Sequence, residues 1–188
     1  MRELIAITGI IGSGKTTVAH LLREKGYHVV DCDRINSLLF NEEEYLSKLR
    51  VLFPETRDRN IDKRLIAEIV FSDESKRKLL NELAHPIIME RALAEAKKFE
   101  GTVFVEIPLF FGSGYESYFK KVWIVTSSDE VRLERILKRD KRSKEEAQAI
   151  IQRQKMTVTE NDNYCVINND GDIRHLSEQL DRLLCTIE

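Results

Sequence analysis

The sequence predicts an α/β fold: a three-layer sandwich of about five parallel strands with helices on both faces. Two observations carry this expectation. Short apolar runs rich in β-branched residues alternate with longer helical patterns along the chain, and a glycine-rich turn lies directly between the first run and the first helical pattern. Parallel strands need crossover helices, so repeated strand–helix–strand order implies a sheet covered on both sides.

The runs are Leu4 to Thr8, His28 to Val30, Thr102 to Val105, Val122 to Thr126 and Tyr164 to Ile167. Helical periodicity covers Lys15 to Lys25, Asp62 to Val70, Ser75 to Phe99, Ser128 to Arg139, Ser143 to Lys155 and Ile173 to Leu184. The last of these places Leu176, Leu180, Leu183 and Leu184 on one face. The interval from Arg34 to Glu100 reads almost wholly helical, which is too much chain for one crossover. It predicts a helical insertion at the sheet edge, where a second substrate would sit. Inside it, His85-Pro86 reads as a helix start, and Asn41-Glu42-Glu43-Glu44 as a solvated helix start favoured by the helix dipole.

Composition narrows the class. The 188 residues are 42% hydrophobic and 33% charged, which excludes a disordered or low-complexity chain. A formal charge of -2 argues against a general nucleic-acid grip, so any anion site must be local. Apolar stretches such as Ile107 to Phe111 fall far short of the ~20 residues that span a bilayer, and Met1-Arg2-Glu3 leads into a strand without a signal-peptide pattern. Cys32, Cys165 and Cys185 are odd in number and widely spaced, which suits a reducing cytoplasm better than a disulfide frame or zinc site. The expectation is a soluble cytoplasmic protein with no membrane or nucleic-acid partner. Its oligomeric state is not fixed by the sequence, and a monomer is compatible with it.

After the first run comes Gly9-Ile10-Ile11-Gly12-Ser13-Gly14-Lys15-Thr16, a full match to G-x-x-x-x-G-K-[ST] at a strand-to-helix turn. Such a loop points successive N–H groups at phosphate oxygens, and the following helix adds its positive end. Gly9, Ile11, Gly12, Ser13, Gly14, Lys15, Thr16 and Thr17 are the predicted residues for binding a nucleoside triphosphate. Lys15 can reach the β- and γ-phosphates, and the Thr16 hydroxyl can ligate Mg2+ directly. This defines a P-loop nucleoside-triphosphate fold. A GTPase switch would show Asp-x-x-Gly after the third strand and Asn-Lys-x-Asp later. Here Glu106-Ile107-Pro108-Leu109 follows the third strand, and Asn168-Asn169-Asp170-Gly171 lacks the lysine. A small chain with a helical insertion suits phosphoryl transfer to a small molecule.

The second strand ends in Asp31-Cys32-Asp33. Along an extended segment both aspartates face one side, near where ligands sit beyond the strand ends. One could orient or deprotonate an acceptor hydroxyl and the other hold magnesium through water; alternatively, either caps a helix starting near Arg34. Glu106, closing the third strand, is a second candidate for a water-mediated magnesium contact, or a solvated strand end. His85 alone reads as readily structural as functional. Arg132, Arg135, Lys138, Arg139, Lys141, Arg142 and Lys144, running on to Arg153 and Lys155, are the densest positive charge, and Arg132, Arg135 and Arg139 recur at helical spacing, so one face is basic. Most of these read as a solvated helix paired with Glu134, Asp140, Glu145 and Glu146. The functional alternative is a lid whose arginines neutralise transition-state charge and exclude water.

Taken together, several segments resemble the dephospho-coenzyme A kinase family. They are Thr8 to Thr16, Val30-Asp31-Cys32-Asp33, Ile61-Asp62-Lys63-Arg64-Leu65 with Ile69-Val70-Phe71, Leu83-Ala84-His85-Pro86-Ile87-Ile88, Glu106-Ile107-Pro108-Leu109-Phe110-Phe111, Arg135 to Arg142 with Gln154 behind it, and Tyr164 to Asn169. The resemblance implies transfer of the ATP γ-phosphate to the ribose 3′-hydroxyl of dephospho-coenzyme A, with magnesium as cofactor. It implies Asp33, Lys15 and Arg139 as catalytic residues, and Asp33, Arg64 and His85 as acceptor-binding residues. It implies a core of residues 1–33, 101–134 and 156–188, an acceptor insertion at 34–100 and a lid at 135–155. The chain departs from the family pattern at Ile10, at Gly112, where an acidic residue is usual, at Asp162-Asn163-Tyr164, and around Pro54 to Asn60, which lacks the family's usual glycines. Two alternatives stay open from the residues alone. One is a small P-loop kinase for a nucleoside monophosphate or another alcohol, kept alive by Arg57, Arg59 and Arg64. The other is an ATP-binding module without turnover.

Overall fold

The computed structural model describes residues 3–71, 73–140, 143–154 and 163–187, with the side chains of Asp140 and Arg153 left aside. Lys141, Arg142, Lys155 and the segment 156–162 of the expected core lie outside the described residues. The chain divides into two units: residues 1–30 with 98–188, and Asp31–Lys97. Asp31 and Asp33 both lie in the second of these units.

The first unit is built on strands β1 (Glu3–Gly9), β2 (His28–Asp31, its last residue counted with the second unit), β3 (Thr102–Glu106), β4 (Lys121–Thr126) and β5 (Tyr164–Asn168). They form one sheet in the order β2-β3-β1-β4-β5. The β1–β3, β1–β4 and β4–β5 pairs are parallel, with Ile7 opposite Glu106 and Gly9 opposite Val125. That register brings the carboxyl ends of β1 and β3 level, which is where an open parallel sheet presents its ligand site. Helix α1 (Lys15–Glu24) follows β1, and α8 (Ile173–Leu184) closes the chain. Ile5, Ile7, Phe104, Trp123, Val125 and Ile167 of the sheet pack with Val18, Leu21 and Leu22 of α1 and Leu176, Leu180 and Leu184 of α8. Leu183 lies half-buried against the same cluster, so the predicted apolar face of the last helix is the one observed. Alternate strand residues such as Ala6, Val103, Val105 and Ile124 are equally buried, as expected of a sheet covered on both sides. Two helices between β4 and β5, α6 (Asp129–Asp140) and α7 (Lys144–Arg153), form a hairpin around Ile136, Ala147 and Ile151. Residue 135, the expected lid boundary, lies inside the continuous α6.

The second unit holds α2 (Cys32–Leu39), α3 (Glu43–Leu52), α4 (Lys63–Phe71) and α5 (Glu74–Ala96). Side-chain caps start α2, α4 and α5. The Asp31 carboxylate accepts the Arg34 N–H at 2.9 Å, Asp62 the Leu65 N–H at 2.7 Å and Asp73 the Lys76 N–H at 3.0 Å. Leu39, Tyr45, Leu49, Leu65, Ile66, Ile88, Met89 and Ala92 supply its core. The sequence reading of His85-Pro86 as a helix start is corrected here, because both residues lie inside the 23-residue α5. A proline inside a helix costs about 3 kcal/mol. Burial of Ala84, Ile88, Met89, Ala92 and Ala96 along one face offsets that cost and carries the helix through.

Candidate active site

The glycine-rich segment leaves β1 at Gly9 and enters α1 at Lys15, and its carbonyls are held from outside. Lys15 Nζ donates to Gly9 O at 2.9 Å and Ile10 O at 3.5 Å. Arg132 Nε donates to Ile11 O at 2.9 Å. Arg135 Nη1 donates to Gly12 O at 3.3 Å and Ser13 O at 3.2 Å, and Asn169 Nδ2 also donates to Ser13 O, at 2.8 Å. The loop's acceptors are thus turned toward cations and amides, while Ser13 N–H closes the turn on Ile10 O at 3.2 Å and the Thr17 and Val18 N–H groups start α1 on Gly14 O at 3.0 and 3.2 Å. Gly14 makes the turn into α1 with φ 93°, a left-handed conformation that disfavours a side chain. A Cβ there would also stand 2.0 Å from Asn169 Nδ2, so loop and β5 end meet only because residue 14 is glycine.

Arg135 extends this framework beyond the loop. Its Nη1 also donates to Ser127 Oγ at 3.0 Å and its Nη2 to Asn169 O at 2.8 Å. Ser127 Oγ in turn donates to Asn169 O at 3.0 Å. Asp170 accepts the Ser128 N–H at 2.7 Å, and that bond is the main cause holding its carboxyl below the ordinary range. The loops after β4 and β5 are thereby tied to the phosphate loop.

The expectation that most of the basic face is solvated fails for Arg132 and Arg135. Arg132 is 2% exposed and also pairs with Asp129 at 2.8 Å. Both arginines reach carbonyls rather than the nearby glutamates, because they lie one turn apart on the side of α6 that meets the loop. Arg139 is on the exposed part of α6. Ser127 has no place among the expected site residues, and Asn169 and Gln154 enter only through the segments that carry the resemblance. The position of Asn169 just beyond the fifth strand, and of Ser127 just beyond the fourth, is the local signal for both.

At the other side of the loop, Thr16 Oγ1 donates to Glu106 Oε1 at 3.1 Å, and Glu106 is 4% exposed. This settles Glu106 as a buried strand-end carboxylate rather than a solvated one. A loop threonine and a strand-end acid are hard oxygen donors of the kind Mg2+ takes beside a triphosphate, where it needs only one or two protein groups. No cluster of three or more His, Cys, Asp or Glu suited to a metal occurs among the described residues.

The second unit holds the other predicted residues. Asp31 caps α2 through Arg34 N–H, which is the alternative reading of that residue. The chain turns helical at Cys32, so Asp33 is not the continuation of an extended run with Asp31. It lies exposed in the first turn of α2, where its carbonyl accepts the Ser37 hydroxyl at 2.8 Å. Arg64 is exposed and pairs with Glu68 at 3.1 Å. His85 is half-buried, and burial lowers its pKa below the usual 6.5.

A phosphate loop braced from behind, opening a helix whose Thr16 hydroxyl meets the buried Glu106 at the end of a parallel strand, defines a P-loop nucleotide-binding fold. The sequence model described as dephospho-CoA kinase matches residues 3–175. A dephospho-CoA kinase of Fusobacterium nucleatum subsp. nucleatum is 33% identical over 192 aligned residues, covering 98% of each chain. One from Thermus thermophilus is 34% identical over 190, covering 98% of this chain and 91% of that one. The crystal structure of TT1252 from Thermus thermophilus superposes with a TM-score of 0.79 at 33% identity, covering 100% of this chain and 98% of the other. The chain belongs to the dephospho-CoA kinase family.

Proposed function

We propose that this chain transfers the γ-phosphate of ATP to the ribose 3′-hydroxyl of dephospho-coenzyme A, giving coenzyme A and ADP. The observation that supports this most strongly is the family match along nearly the whole chain, joined to a phosphate loop whose carbonyls are held by Arg132 and Arg135. In the reaction the 3′-oxygen forms a bond to the γ-phosphorus while the bond to the β,γ-bridging oxygen breaks. The proton of the hydroxyl passes to a carboxylate and ADP leaves.

Asp33 is assigned that carboxylate, exposed and without a capping task of its own side chain in α2. Lys15 leaves the carbonyls of Gly9 and Ile10 for the β- and γ-phosphate oxygens, exchanging partial charges for full ones. Gly9 to Thr17 cradle the triphosphate, Arg139 closes over it as part of a lid spanning residues 135–155, and Arg64 and His85 hold the acceptor. Thr16 would ligate Mg2+ directly and Glu106 through water, and Asp31 is the weaker candidate because its carboxylate already serves α2. When bound, that ion would neutralise charge on the phosphate oxygens. The free thiols of Cys32, Cys165 and Cys185 support action in the reducing cytoplasm.

The test is ADP release from magnesium-ATP with dephospho-coenzyme A, AMP, CMP, shikimate or no acceptor, with the phosphorylated position fixed by mass and phosphorus NMR. Release dependent on dephospho-coenzyme A, with phosphate on the ribose 3′-oxygen, is expected. Release with another acceptor, or none with any, would overturn the assignment.

A further inference from the structure

Ile11 is gripped at three points by the α6–α7 hairpin. Its side chain packs against the cluster of Ile136, Ala147 and Ile151, together with Leu133 and Leu137. Its carbonyl accepts from Arg132 Nε at 2.9 Å. Its N–H donates to Gln154 Oε1 at 3.0 Å, across 143 residues of sequence. The next residue continues the contact, since a Cβ at Gly12 would lie 3.1–3.2 Å from the backbone and Cβ of Arg132. The Ile11 N–H, one of the donors expected to face phosphate, here has the Gln154 carboxamide oxygen as its acceptor.

Gln154 is placed for this by the end of α7. It is the C-cap residue, and its own N–H donates to Ile150 O and Ile151 O, both at 3.2 Å. The helix in turn is fixed at its start by a capping box between Ser143 and Glu146. Only the side chain of Gln154 reaches the loop. Its carbonyl oxygen accepts from the Ile11 N–H, while Arg132 holds the opposite side of the same residue.

We propose that Gln154 is a positioning residue for ATP: it holds the Ile11 peptide in place, fixing the outer turn of the phosphate loop and tying that loop to the α6–α7 hairpin. The inference rests on the loop's binding ATP and not on the identity of the acceptor. Loss of one such bond lets the Ile11 peptide rotate and lowers the fraction of loop ready for phosphate.

The test uses Gln154→Met, which keeps length and bulk but removes the acceptor, and Gln154→Glu, which keeps an acceptor oxygen. Binding of magnesium-ATP is measured by calorimetry without any acceptor substrate, and exchange of the Ile11 amide by NMR. For Gln154→Met we expect a rise of roughly three- to tenfold in the Kd for ATP and a comparable speeding of Ile11 exchange, with thermal stability unchanged. Gln154→Glu should restore slow exchange at Ile11. An unchanged Kd in Gln154→Met would overturn the proposal, as would a weaker Kd with Ile11 exchange left as in the parent protein. Because no acceptor is present, these outcomes are independent of whether dephospho-coenzyme A is the substrate.

Discussion

Replacing Arg135 by Met tests whether the phosphate loop is shaped from behind. The guanidinium serves four acceptors: Gly12 O, Ser13 O, Ser127 Oγ and Asn169 O. Hydrogen bonds from a charged donor contribute about 1.5–3 kcal/mol each where they are short and enclosed. Two of these four are long, and Ser13 O keeps its bond from Asn169 Nδ2 while Asn169 O keeps the Ser127 hydroxyl. The net loss should therefore be well below the sum, about 2–3 kcal/mol. For a chain of this size that corresponds to a fall of roughly 5–10 °C in Tm. Lys at 135 should rescue little, because one ammonium cannot span the fork that joins Gly12 to Asn169. The assays are thermal unfolding and ATP binding by calorimetry, run beside Arg139→Ala. Arg139, on the exposed part of the same helix, should lower turnover while moving Tm by less than about 2 °C. An Arg135→Met protein with unchanged Tm and unchanged Kd for ATP would refute the bracing role.

Three further outcomes follow from single side chains. Glu106→Gln should raise the magnesium concentration needed for half-maximal turnover and lower kcat by roughly a hundredfold, since the Thr16 partner loses its charge; a magnesium titration superimposable on the parent's would remove Glu106 from the metal site. Asp33→Asn should cut turnover by roughly two to four powers of ten with ATP affinity little changed, and near-normal turnover would take Asp33 out of the mechanism. His85, its pKa lowered by burial, binds its proton more readily unfolded than folded. Its contribution to stability is full above the unfolded pKa of about 6.5 and is lost as pH falls through the lower folded value. Urea midpoints at pH 7.5 and 5.5 should therefore separate more in the parent than in His85→Gln, and equal separations would sink that assignment.

What the sequence displayed and what it hid divide along a physical line. The phosphate loop was legible because its glycines and lysine are local requirements of one turn, and the face of α8 because Leu176, Leu180 and Leu184 repeat at the helix period. Features set by partners far along the chain were not. Arg132 and Arg135 looked like any solvated helix face, because nothing local says that loop carbonyls stand opposite them. Asp33 was read as strand because alternation was carried past Asp31, whereas the Asp31 cap starts the helix there. Pro86 was read as a boundary by its chemistry alone, without the apolar row that carries α5 through it.

The placement of these arginines bears on how a nearly neutral chain handles a polyanion. With a net charge of -2, long-range attraction for ATP is weak, so affinity must come from local order. Arg132 and Arg135 do not wait for phosphate: they bind loop carbonyls and set the direction of the peptide dipoles before nucleotide arrives. The cost of ordering the loop is then met in folding rather than in binding. Dipoles fixed in advance also need no rearrangement as charge redistributes over the transferring group. On this reasoning, substitutions at 132 and 135 act on stability and on ATP affinity together, whereas those at 33 and 139 act on turnover with the fold intact. Measuring Tm, ATP affinity and turnover on the same four variants separates the two groups, and a single common pattern across all four would contradict the division.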